Sequence, residues 1–113
     1  MVTIDDVRAV AEKLPRSYEV VVGGRVKFRV GRIVYLSFSR DHAVMGFAFP
    51  KEERAWLIGG SPGKFMYPGA SDMRYHWVQA LLSALEPDEM RELVVDAWRM
   101  VVPNHVAAAY IES

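Results

Sequence analysis

Apolar and polar positions along the chain change period four times. Ile4, Val7, Val10, Ala11 and Leu14 recur at helical spacing, which predicts a first helix with one face against a core. Thr3 stands three residues before Asp6, a capping-box variant with a short acid, and Val2 and Val7 occupy the positions of a hydrophobic staple. Pro15 ends the helix, because the residue before a proline is pushed out of the helical region.

From residue 18 to residue 49 the period is two. Tyr18–Val22, Arg25–Val30, Ile33–Ser39 and Val44–Phe49 read as short strands separated by Gly23-Gly24, Gly31-Arg32 and Asp41-His42. Alternation places Val26, Phe28 and Val30 opposite Arg25, Lys27 and Arg29. It likewise sets Val34, Leu36 and Phe38 against Tyr35, Ser37 and Ser39. One face is apolar and the other begins with a basic stripe.

Pro50–Ile58 reads as a short helix, and residues 61–72 read mainly as loop, with a brief extended piece at Phe65–Tyr67. Arg74–Leu82 is a fifth strand, with Val78, Ala80 and Leu82 assigned to the core and Trp77 and Gln79 to the other face. The clearest periodicity is Met90, Leu93, Val94, Ala97, Trp98 and Val101, a helix opened by Pro87 and closed or kinked at Pro103; Asn104–Tyr110 adds a further turn or two. The expected fold is therefore α+β: a five-stranded antiparallel sheet with terminal helices on one face and a short helix inserted before the last strand. Residues 1–113 suit one domain.

Composition narrows the function classes. The chain has no cysteine, which excludes disulfides, thiolate metal sites and Cys nucleophiles. The N-terminus lacks the pattern of a signal peptide, and no apolar run approaches the ~20 residues of a membrane helix, so a cytoplasmic protein without membrane contact is expected. Formal net charge is zero, but residues 1–54 carry ten basic and seven acidic side chains against four and seven in the remainder.

No catalytic or metal-binding signature emerges. His42, His76 and His105 lack ligand spacing. Gly59-Gly60-Ser61-Pro62-Gly63-Lys64 suggests a phosphate loop, yet Ile58 stands where its first glycine belongs and Phe65 where its Ser or Thr belongs. The acidic pairs Glu52/Glu53 and Asp88/Glu89 suit helix N-termini. Neither catalytic residue, cofactor nor metal is expected.

The candidates that remain concern binding. Arg25, Lys27 and Arg29, ~6.5–7 Å apart at every second residue, with Arg32, Arg40 and Arg74, form a candidate nucleic-acid surface. Tyr35, Tyr75 and Trp77 could supply stacking rings. The rival account is a solvated face that keeps the sheet soluble, and zero net charge favours it. A second candidate is a small-molecule or peptide pocket between sheet and loop, lined by Phe65, Tyr67, Tyr75 and Trp77. A third is a dimerising or edge-pairing domain; monomer and homodimer are both open. Trp98 is assigned to the core, and Trp56 to the core or to a lid over the sheet edge.

The order of elements resembles the MmcQ/YjbR family over nearly the whole chain. The resemblance rests on Leu14-Pro15, the meander and Glu53-Arg54 before the Pro/Gly loop. Its specific stretches are Arg74-Tyr75-His76-Trp77-Val78 and the segment from Asp96 to Pro103. It implies an α-β(5)-α fold grouped with CyaY-like or secretion-chaperone-like domains. It also implies a DNA-binding label with a double-wing mode, and no enzymatic activity or functional residues to carry over.

Overall fold

In the computed structural model, residues 1–112 are described, with the side chain of Glu112 left out. Four helices, α1 (Ile4–Ala11), α2 (Arg54–Gly60), α3 (Pro87–Arg99) and α4 (Asn104–Glu112), accompany six strands. These are β1 (Ser17–Val22), β2 (Arg25–Val30), β3 (Ile33–Phe38), β4 (Val44–Ala48), β5 (Phe65–Met66) and β6 (Trp77–Leu81). All neighbours are antiparallel, in the order β1-β2-β3-β4-β6-β5.

The expected fifth strand is thus the sixth, and it is shorter. Residues 74–76 belong to a turn, and the extended piece at Phe65–Met66 pairs outside β6 as an added edge. Two residues carry no readable alternation, which is why the sheet exceeds its five-stranded expectation. The middle helix starts at Arg54 instead of Pro50, because residues 51–53 form a turn.

The α1 cap forms as expected: Thr3 Oγ1 accepts from the Asp6 N–H, and the Asp6 carboxylate accepts from the Thr3 N–H at 2.9 Å. Pro87 begins α3, where Glu86 and Glu89 cap each other's main-chain N–H groups. The β1–β2 hairpin needs positive φ at both Gly23 (59°) and Gly24 (79°), the conformation of the tight turns that match strand twist.

One face of the sheet carries the core. Cross-strand pairing sets Phe28, Leu36, Phe47 and Val78 in a single row, all fully buried. Helix α3 lies over β3 and β4 and against α1, contributing Met90, Val94, Ala97 and Trp98. Trp98 is buried, and its Nε1–H donates to the Pro15 carbonyl at 2.8 Å, tying the end of α3 to the turn after α1. Tyr110 of α4 meets its ring edge-on at 5.2 Å.

Alternation misassigns one pair. The β2–β3 register skips Tyr35: Phe28 faces Leu36, and Arg29 faces Val34. This bulge turns Tyr35 into the core beside Leu36 and leaves Val34 on the Arg29 face. Tyr35 therefore offers no stacking surface. Its hydroxyl shares a 2.6 Å hydrogen bond with Ser17 Oγ. Trp56 is a second correction, being 81% exposed on the outer side of α2.

Burial pushes the Tyr35 phenol up to about 12, while its bond to Ser17 works in the opposite direction. In the unfolded chain the phenol ionises near ~10. The folded state therefore holds its proton longer, and stability falls as pH rises from ~10 towards 12. Denaturant midpoints should drop across that window, and more gently in Tyr35→Phe than in the parent. Parallel pH profiles for the two proteins would contradict this placement of the phenol.

Candidate binding groove on the open sheet face

The opposite face is built by the same alternation, and Met100 and Val101, just past the end of α3, reach its groove. Pairing aligns Val20, Lys27, Ser37, Gly46, Gln79 and Met66 in one row across all six strands. A second row begins with Val22 and Arg25, and a third contains Tyr18, Arg29 and Val34. None of the strand residues on this face is acidic. The only acid on β1, Glu19, lies on the helix side and is held by Arg8 at 3.0 Å.

Trp77 shapes the surface. Its indole lies across Gly46: a methyl group added there would sit 2.7 Å from Trp77 Nε1 and 2.9 Å from two ring carbons. Only a residue without Cβ allows this approach. The ring is half-buried, which settles the exposure of Trp77 between the two extremes.

A groove of about 670 Å³ follows this face. Arg25 and Lys27 line it together with Ser37, Gln79, Trp77 and Tyr75, so members of two separately predicted sets meet in one concavity. Its far wall is the loop at Asp72, Tyr75 and His76, and Asp72 is the sole acid of the lining. The side chains of Arg25, Lys27, Ser37 and Gln79 make no hydrogen bond to other described residues.

The remaining candidates fall elsewhere. Arg29 shares the strand face but lies outside the groove, half-buried, with an Nε that finds no acceptor among the described residues. Arg40 Nε donates to the Gly23 carbonyl at 3.2 Å, so it sits at the hairpin tips near Arg25. Arg32 is exposed in the turn at the opposite end of the sheet. The Arg74 guanidinium stacks 4.8 Å from the Tyr75 ring centroid. Phe65 is buried and packs edge-on against Phe47, which removes it from any ligand-facing role. Tyr67 is exposed, with Arg54 5.9 Å from its ring. Of the four residues expected to line a pocket between sheet and loop, Tyr75 and Trp77 line the groove and Phe65 and Tyr67 do not.

What holds the loop wall is Arg54, a residue that alternation does not single out. Its side chain is buried and has no carboxylate partner among the described residues. Nη1 donates to the carbonyls of Tyr75 (3.1 Å) and Trp77 (3.3 Å), and Nη2 donates to that of Met73. Lys51 adds two bonds, its N–H to His76 Nδ1 at 3.0 Å and its Nζ to the Arg74 carbonyl at 3.3 Å. These five hydrogen bonds pin residues 73–77 to the start of α2. The guanidinium fork suits this task, since it spreads its donors over several acceptors.

The family model for YjbR matches residues 12–100. The chain belongs to the YjbR family. The solved structure of protein DR2400 from Deinococcus radiodurans, a DUF419-domain protein, has the same fold. It is 23% identical, has a TM-score of 0.79, and the match covers 89% of this chain and 79% of that one. No curated protein matches the chain. Residues 12–100 of the YjbR match include the groove's sheet, its loop wall and the Arg54 anchor.

Replacing Arg54 with Met leaves the carbonyls of Met73, Tyr75 and Trp77 without their shared donor. Stability should fall by roughly 2–3 kcal/mol. Amide exchange should accelerate over residues 73–77 while the Phe28–Val78 row keeps its protection. Unchanged exchange in that loop would contradict the anchoring role.

Proposed function

We propose that this YjbR-family chain is a non-enzymatic binding module that takes DNA, in single-stranded form, on its open sheet face. The observation that carries the reading is the convergence of Arg25 and Lys27 with Trp77 and Tyr75 in one groove, on strands bearing no acid on that side. Cations follow a phosphate backbone and aromatic faces stack unpaired bases, the combination that single-strand binders use. Zero net charge for the whole chain is compatible with this, because many of the acids lie elsewhere: Asp5, Asp6 and Glu19 on and beside α1, and Glu86, Asp88, Glu89, Glu92 and Asp96 on and before α3. The charge is separated between faces.

The chemistry asks nothing more of the site. Among the described residues, no group of three His, Asp or Glu side chains could hold a metal ion, and the groove histidine, His76, spends Nδ1 on the Lys51 main chain. No described helix is long and apolar enough to cross a membrane.

Binding of a 12-nucleotide single strand at low salt should weaken as salt rises. With two phosphates contacted by Arg25 and Lys27, the slope of log K against log salt should be about −1.4. The triple variant R25E/K27E/R29E should abolish binding, and R25Q/K27Q should reduce both affinity and slope with the fold intact by circular dichroism. A folded charge-reversed protein that binds as tightly as the parent would remove this face as the site.

A further inference from the structure

The middle row of the open face does more than present charge. Ser37 and Gln79 flank Gly46 on the neighbouring strands, and the indole of Trp77 lies over Gly46 between them. Lys27 follows Ser37 in the same row, two strand spacings, about 10 Å, from Gly46. Gln79 and Ser37 are half-buried, yet neither side chain bonds to another described residue. Polar groups at partly buried positions are usually committed to a protein partner or to water. Here an amide, a hydroxyl, a flat ring and an ammonium group all face one concavity, each with its recognition capacity intact.

Charge gives the groove a direction. Arg25 lies towards the hairpin tips and Lys27 at mid-groove, whereas Asp72 stands in the far wall with Tyr75 and His76. An anionic group is therefore favoured at the Arg25–Lys27 end and disfavoured beside Asp72. Along this axis the groove offers an anion site, then hydrogen-bonding groups, then aromatic surface.

The geometry points to a site for one nucleotide unit, a deoxynucleoside monophosphate held as a discrete ligand. Its base stacks on Trp77, its base edge meets the Gln79 amide and the Ser37 hydroxyl, and its phosphate meets Lys27 and Arg25. This rests on the reading of the open face as a DNA surface, and it adds that recognition is concentrated in one nucleotide instead of being spread along the strand. Gln79 offers a donor and an acceptor side by side, so the site discriminates among bases.

The test uses the full chain carrying Trp56→Phe, which removes the exposed indole and leaves Trp77 as the partly exposed fluorophore beside buried Trp98. The four deoxynucleoside monophosphates, the matching nucleosides, inorganic phosphate and a 12-nucleotide single strand are titrated separately. Saturable quenching by a monophosphate is expected, with the nucleoside weaker, inorganic phosphate silent, and the monophosphate displacing the strand. Adding Trp77→Leu, read by calorimetry because the reporter indole is gone, should weaken binding on the order of tenfold or more. Gln79→Leu should flatten the ranking among the four bases. A strand that binds while no monophosphate saturates the site overturns the single-nucleotide inference and leaves the DNA surface standing. Monophosphate binding without strand binding keeps the inference and overturns the DNA reading. If neither binds to a folded protein, both fall.

Discussion

One-sided burial of the sheet is the constraint on which the molecule depends. Phe28, Leu36, Phe47 and Val78 pack as a continuous row, and α3 lays Val94, Ala97 and Trp98 against that side. Because strand side chains alternate, covering one face dictates the composition of the other. Lys27, Ser37, Gly46 and Gln79 share a row for the same reason that their sequence neighbours share the core. Core and groove are two consequences of one register, so a slip in the first would dismantle the second.

Two local devices convert a wet sheet face into a shaped site. Gly46 lets the Trp77 ring settle on the strand, and Arg54 fixes the loop that carries Tyr75 and His76. Arg54 also shows how a buried cation can be tolerated through main-chain acceptors, with no counter-ion among the described residues. Main-chain carbonyls satisfy its donors, and the Tyr67 ring lies 5.9 Å away. Burying such a charge is costly unless its donors are used. The arrangement therefore fixes the loop wall strongly: releasing it would leave both the guanidinium and the carbonyls unmatched.

Much of this was legible from residue order. The Thr3–Asp6 cap, the α3 stripe, the four-strand meander and the core assignment of Val78, Ala80 and Leu82 follow from spacing, and all of them form. The departures have separate physical causes. A bulge between Phe28 and Arg29 reverses the faces expected for Val34 and Tyr35, and a bulge leaves no mark in a run of six strand-forming residues. Strand β5 is two residues long, too short for a period. The burial of Arg54 and the exposure of Trp56 come from how α2 sits on the loop, a tertiary choice that residue type alone points the wrong way. The candidate site was half-legible: the cations lay on one face by alternation, but their meeting with Trp77 and Tyr75 depends on β4 pairing with β6 across 33 residues of chain.

The central claim is that ligand binding occurs on the uncovered sheet face and leaves the helical face untouched. Amide chemical-shift mapping during titration with a short single-stranded oligonucleotide tests it most directly. The account predicts shifts that saturate together at Lys27, Ser37, Gly46, Trp77 and Gln79, with α1 and α3 unmoved. Shifts confined to the helices, or to the exposed flank of α2 around Trp56, would contradict it.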